Sequence, residues 1–189
     1  MKKSGFILAI AFCLISCVST KEKVASGQPY TDQINWPNAY DPKKAGFFVH
    51  NEIDIRASPE TVWNILIQAE TWPNWYEGAR NVAITSPDDT TILLEDAVFT
   101  WKTMGLNFES FIREYEPYSR LSWESKKNSI KGYHAWLIVP TDNGCKLITQ
   151  ESQTGFLTFM QKVFQPRKLE GLHQIWLEEI MQKAEQKDL

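Results

Sequence analysis

The C-terminal stretch carries the clearest alternation of apolar and polar positions. Leu169, Leu172, Trp176 and Ile180 recur at steps of three, four and four, with Ile175 beside them and Lys168, Gln174, Glu178, Lys183 and Glu185 on the other faces. That spacing predicts an amphipathic helix. Pro166 suits its first position, where a missing N–H costs nothing. The helix is therefore expected over 166–187, about 33 Å long at the usual rise. Gly171 interrupts it. Mid-helix glycine costs up to about 1 kcal/mol relative to alanine, so either another element approaches closely there or space is kept open.

Upstream the period changes to two. Phe48 to Ile55 reads as a strand with Val49, Ile53 and Ile55 inward. Ser58, Pro59 and Glu60 then give an N-cap, a first-turn proline and an acidic first turn. The buried face of this helix is Val62, Trp63, Ile65, Leu66 and Ala69, and a second short helical turn is expected through Trp75 and Glu77, ended by Gly78. Further strands are predicted over 81–85, 92–94, 97–104, 107–115, 120–126, 132–139 and 146–153. The turns between them fall at Ser86-Pro87-Asp88-Asp89, Gly105, Pro117-Tyr118-Ser119 and Asp142-Asn143-Gly144, the last a strong hairpin signal. A strand, two helices, a run of antiparallel strands and a long final helix make an α+β fold.

Alternation also sorts the faces. Phe99, Trp101 and Thr103 group together, as do Phe108, Ser110 and Ile112, Leu121 and Trp123, and Leu147, Thr149 and Glu151. In 132–139 either Tyr133/Ala135/Leu137 or His134/Trp136/Ile138 could be buried, and the second set is favoured. The concave side is thus expected to carry Trp101, Thr103, Ser110, Trp123, His134, Trp136, Thr149 and Glu151. The tryptophans can be plain core filling. The polar groups are harder to dismiss, because a buried carboxylate without a partner is costly. A contact of Glu151 with His134, Thr149 or Ser110 would offset that cost. A rim salt bridge with Lys146 or Arg113 is the alternative.

Composition narrows the class. The chain has 189 residues, 43% of them apolar and 13% aromatic, with eight tryptophans, enough for one domain with a sizeable core. Net charge is −3 and no basic run extends beyond Lys126-Lys127, so the footprint of a nucleic-acid binder is missing. Lys2 and Lys3 precede an apolar run from Gly5 to Ile15, too short to span a bilayer. It ends in Leu14-Ile15-Ser16-Cys17, which resembles the bacterial lipobox. The resemblance implies cleavage after Ser16, a lipid on Cys17 and anchoring in the cell envelope; Val18 favours the outer membrane where the host has one. Residues 1–16 are then a signal peptide, 17–44 a lipidated tether and 45–189 the domain. Within the tether, Trp36-Pro37 and Tyr40-Asp41-Pro42 could pack on the domain. Cys145 remains as a single thiol, expected to be buried and structural.

Several motifs in this order carry a family resemblance: Ala57-Ser58-Pro59-Glu60-Thr61-Val62-Trp63, Trp72-Pro73-Asn74-Trp75-Tyr76, Phe99-Thr100-Trp101-Lys102-Thr103 with Gly105, Glu114 with Pro117, Leu121 with Trp123, His134-Ala135-Trp136 with Pro140, and Gly144 before Thr149 and Glu151. From about Phe47 to Lys187 the chain resembles the SRPBCC superfamily of START-like, Bet v 1-like helix-grip proteins, in its polyketide cyclase/dehydrase-like branch. The resemblance implies a curved antiparallel sheet gripping the C-terminal helix, an apolar cavity between them, and two short helices closing the narrow end. Leu169, Leu172, Trp176 and Ile180 become a cavity wall, and Gly171 a place where the helix is thinned for a ligand.

The function expected is binding or transfer of a small hydrophobic molecule by a monomeric, lipid-anchored protein, in a cavity on the order of several hundred Å³. The alternative is a cyclase/dehydrase-type enzyme on an aromatic or polyketide-like substrate, with His134 and Glu151 as acid and base. A third reading is an envelope interaction module with a vestigial cavity, which exposed Trp36, Trp72 or Trp75 forming one apolar patch would support. No cofactor or metal is expected, since His50, His134 and His173 show no metal-ligand spacing, and His173 is expected as a packed or rim histidine.

Overall fold

A computed structural model of the protein describes residues 28–85 and 90–187. The signal segment, Cys17 and the Ser86-Pro87-Asp88-Asp89 turn lie outside the described residues. β1 (Phe47–Ile55) leads into α1 (Pro59–Leu66) and a 3-10 helix at Ala69–Asn74. Six strands follow: β2 (Arg80–Thr85), β3 (Val98–Thr103), β4 (Leu106–Glu116), β5 (Arg120–Lys127), β6 (Ile130–Thr141) and β7 (Gly144–Thr154). α2 (Phe156–Phe164) and α3 (Lys168–Lys187) close the chain. The sheet order is β1-β7-β6-β5-β4-β3-β2, antiparallel throughout. This is the helix-grip α+β architecture, with α3 packed along β1 and α1.

Local chemistry accounts for the joints. The Ser58 hydroxyl accepts from the Thr61 N–H at 3.1 Å, capping α1 ahead of Pro59. At its other end the Trp72 indole N–H donates to the Leu66 carbonyl at 3.1 Å. Gly144 is dictated by close approach: at φ 143° a Cβ there would stand 2.1 Å from the Ile55 carbonyl oxygen. Cys145 is fully buried, and burial, with Asp54 adding to it, pushes its thiol up to about 11.

Four expectations need correction. Residues 92–94 form no strand; Leu93 instead plugs the core, its N–H donating to the Ile67 carbonyl at 2.8 Å. The second helical turn comes earlier than Trp75–Glu77 and contains Pro73. The final helix starts at Lys168 rather than Pro166, and 156–164 is a helix of its own. Gln165 breaks the run at φ −141° and ψ 56°, since a residue before proline is pushed out of the α region.

The fourth concerns where the tether ends; Trp36 and Tyr40 do pack on the domain, and their neighbours come with them. From Gln28 onward the segment belongs to the fold. Ile34 and Tyr40, with Trp36, cover Tyr133 and Ala135 on the convex face. The Tyr40 hydroxyl donates to Glu124 at 2.6 Å, and the Gln150 amide donates to the Pro29 carbonyl at 2.9 Å. Both faces of β6 are therefore buried: His134, Trp136 and Ile138 face the core while Tyr133 and Ala135 face this segment.

Candidate functional site

Cross-strand register builds the site. Trp123 on β5 stands opposite His134 on β6, and His134 opposite Glu151 on β7. A ladder one step along sets Ser110, Ser125, Gly132 and Gln153 side by side. Gly132 leaves room for the Glu151 carboxylate, because a Cβ there would meet Glu151 Oε1 at 2.9 Å. Across the sheet, α3 supplies Leu169, Leu172, His173 and Trp176. Its buried stripe is Leu169, His173, Trp176, Leu177, Ile180 and Ala184, so His173 takes the inward place expected for Leu172, which sits half-buried at the cavity wall.

His173 is thus a site residue that the sequence reading set aside. Its Nε2 hydrogen-bonds Glu151 Oε2 at 3.2 Å, and His134 Nδ1 lies 3.3 Å from the same oxygen. Glu151 Oε1 accepts from the Gln153 amide at 2.6 Å. His134 Nε2 meets the Thr149 hydroxyl at 2.7 Å. One tautomer satisfies every contact: His134 holds its proton on Nδ1 towards the carboxylate, and Thr149 donates to Nε2. Burial, reinforced by His173, keeps the His134 imidazole well below its ordinary 6.5 and hence neutral. Glu151 is no rim salt bridge; Lys146 pairs with Glu52 and Asp54, and Arg113 with Glu124.

The low folded pKa of His134 has a measurable consequence. Below about pH 6.5 the unfolded chain takes up a proton that the native state refuses, so stability is full above that pH and falls on acidification. The slope for one such histidine is at most about 1.4 kcal/mol per pH unit. His50, lowered mainly by burial, acts in the same direction. Urea unfolding between about pH 5 and pH 7 should show this slope, flattened in His134→Asn.

His134, Glu151 and His173 offer three donor atoms within 4.8 Å of one another, a group that spacing along the chain did not reveal. These residues could approach a cation. However, the two imidazole rings are stacked, 4.6 Å apart and inclined by 27°. A ligated ion must lie close to the plane of each ring along its nitrogen lone pair, and stacked planes do not converge there. The geometry fits a hydrogen-bonded carboxylate–imidazole cluster.

The cavity beside this cluster measures about 40 Å³, room for two or three waters. Trp101, Thr103, Trp123, His134, Glu151, Leu172 and Trp176 line it, together with Tyr76, Gln153 and Gln161. Ser110, Trp136 and Thr149 are buried and do not line it. The expected several hundred Å³ is not met, because Trp72, Trp101, Trp123, Trp136 and Trp176 fill the grip with ring contacts. Trp72 is fully buried and Trp36 and Trp75 are half-buried, so they form no exposed patch.

Gly171 also needs correction. It faces solvent, and a Cβ there would meet nothing within 4 Å. Gly171→Ala should therefore raise stability by about 0.5–1 kcal/mol, read by thermal unfolding, with binding unchanged.

The family model described as "Polyketide cyclase / dehydrase and lipid transport" matches residues 47–185. The chain belongs to this family. Hypothetical protein jhp0584 from Helicobacter pylori is similar in structure, with 28% identity and a TM-score of 0.73 over 80% of this chain and 95% of that one. The di-domain aromatase/cyclase StfQ from the steffimycin biosynthetic pathway aligns at 12% identity and a TM-score of 0.62, over 75% of this chain and 52% of its own. Norcoclaurine synthase from Thalictrum flavum aligns at 12% and 0.59, over 75% and 96%. At such identities the last two share the fold alone with this polyketide cyclase/dehydrase family member. No curated protein sequence matches the chain.

Proposed function

We propose that the protein is a monomeric, lipid-anchored envelope component that binds a small hydrophobic molecule bearing a hydrogen-bond acceptor. One observation carries this reading. Five residues that line the cavity hold buried polar atoms without a partner: Trp123 Nε1, Trp176 Nε1, Gln161 Nε2, His173 Nδ1 and Gln153 Oε1. Buried polar groups are nearly always satisfied, and three of these atoms are N–H donors, so an acceptor-bearing occupant suits them. The aromatic rings supply its apolar contacts. A ligand larger than a few waters needs the cavity to widen, and its lining includes the flexible or partly exposed side chains of Met104, Leu106, Phe108 and Leu172. Mass spectrometry of small molecules extracted from the purified protein should recover such a compound, and adding it back should raise Tm. Recovery of solvent alone, with no compound raising Tm, would overturn the reading.

The lipobox at Leu14-Ile15-Ser16-Cys17 supports anchoring through Cys17, with outer-membrane sorting favoured by Val18. Cys17→Ser should move the full chain out of the membrane fraction.

A second reading, acid–base catalysis on an aromatic or polyketide-like substrate, draws support from the contacts of Glu151 with His134 and His173. It requires turnover that disappears in His134→Ala.

A further inference from the structure

α2 has its amphipathicity reversed. Thr158 is its buried residue, whereas Phe156, Phe159, Val163 and Phe164 are 67%, 60%, 54% and 70% exposed. Among the described residues, Tyr118 is the one other large exposed hydrophobic. The orientation is pinned rather than loose. The Leu157 N–H donates to the Ser129 carbonyl at 3.0 Å, and the Thr158 hydroxyl to the Thr154 carbonyl at 3.0 Å. The protein thus presents phenylalanines to its surroundings on one short helix, in a contiguous patch of the kind that marks an interaction site.

Charge selects the partner. From Gly155 to Leu169 the chain contains Lys162, Arg167 and Lys168 and no acidic residue, within a protein of net charge −3. Lys127 and Lys131 flank the Ser129 turn that holds the start of α2. A two-fold contact between copies would set this basic rim against itself. An anionic lipid surface instead accepts the phenylalanines at the depth of its headgroups and attracts the rim.

We propose that the outward face of α2, with Lys162, Arg167 and Lys168, docks the domain on an anionic bilayer. Gln161, on the same helix, lines the cavity, so the docked helix is also a cavity wall. The proposal rests on the reading of Cys17 as a lipid anchor only in placing the domain beside a membrane. The ten residues 18–27 let the anchor and Gln28 stand at most about 40 Å apart.

The test omits the lipid, so that failure of docking and failure of anchoring are separate results. Residues 18–189, which keep every described element, are sedimented with phosphatidylcholine vesicles containing or lacking phosphatidylglycerol. Binding is expected to the phosphatidylglycerol vesicles, weakened by salt, and reduced by about tenfold or more in Phe159→Asp/Phe164→Asp with Tm preserved. Lys162→Glu/Arg167→Glu/Lys168→Glu should weaken it as well while leaving the apolar face intact. No binding of the wild type, or equal binding by both variants, would overturn the proposal. So would a wild-type dimer in solution that Phe159→Asp/Phe164→Asp converts to a monomer, since the face would then belong to a second copy.

Discussion

Trp176→Ala is expected to lower stability by about 3–5 kcal/mol, the range for emptying a large aromatic site in a packed core. Trp176 is the aromatic anchor that α3 inserts into the sheet. Its ring stacks on Tyr76 at 4.3 Å, lies edge-on to Trp72 at 4.8 Å and Trp136 at 5.0 Å, and reaches Trp101 and Trp123 at just over 6 Å. Truncation strands several rings around one void, and rings this large cannot collapse into it. Trp176→Phe keeps part of the contact and should cost less than half as much. Urea unfolding followed by circular dichroism separates the two variants. A loss below about 1 kcal/mol in Trp176→Ala would show that α3 is held by other contacts.

Glu151→Gln is expected to act on binding rather than on folding. The amide is isosteric, and Gln153 can turn its unpartnered Oε1 toward the new NH2 group. Stability should therefore change by only about 1–2 kcal/mol. What the substitution removes is the negative charge between two imidazoles. Without it His173 Nε2 keeps only a neutral acceptor, and the proton positions of both histidines are no longer fixed by one carboxylate. Affinity for the molecule extracted from the protein should fall by at least about tenfold, measured by calorimetric titration. Unchanged affinity together with an unchanged Tm would remove the cluster from the site.

The match between pattern and fold is uneven for physical reasons. Strands with one dry face announce themselves by alternation. Phe99/Trp101 of β3 and Phe108/Ser110/Ile112 of β4 follow it, until a register shift after Ile112 brings Tyr115 onto the core. On β5 Ser122 is buried beside Leu121 and Trp123 because it meets Tyr133 on the opposite face. β6 alternates poorly because the 28–46 segment buries its second face, and nothing within β6 records that cover. On α3, Leu172 and His173 differ by one step of rotation, about 100°. Hydrophobicity points to the leucine, yet the Glu151 carboxylate across the grip makes the inward place suit a histidine. The reversed face of α2 follows from its pins at Ser129 and Thr154, where solvent avoidance alone predicts the opposite orientation.

The sequence by itself determined the order of elements, the α+β class, the helix cap at Ser58, the close turn at Gly144 and the family resemblance. Each depends on neighbours within a few residues or on a repeating pattern. Tertiary structure alone decided that His134, Glu151 and His173 meet, that tryptophan rings shrink the cavity to about 40 Å³, and that Gly171 faces water. Those outcomes depend on strand register, on the rotation of α3 and on the packing of ring volumes, and no local period encodes them.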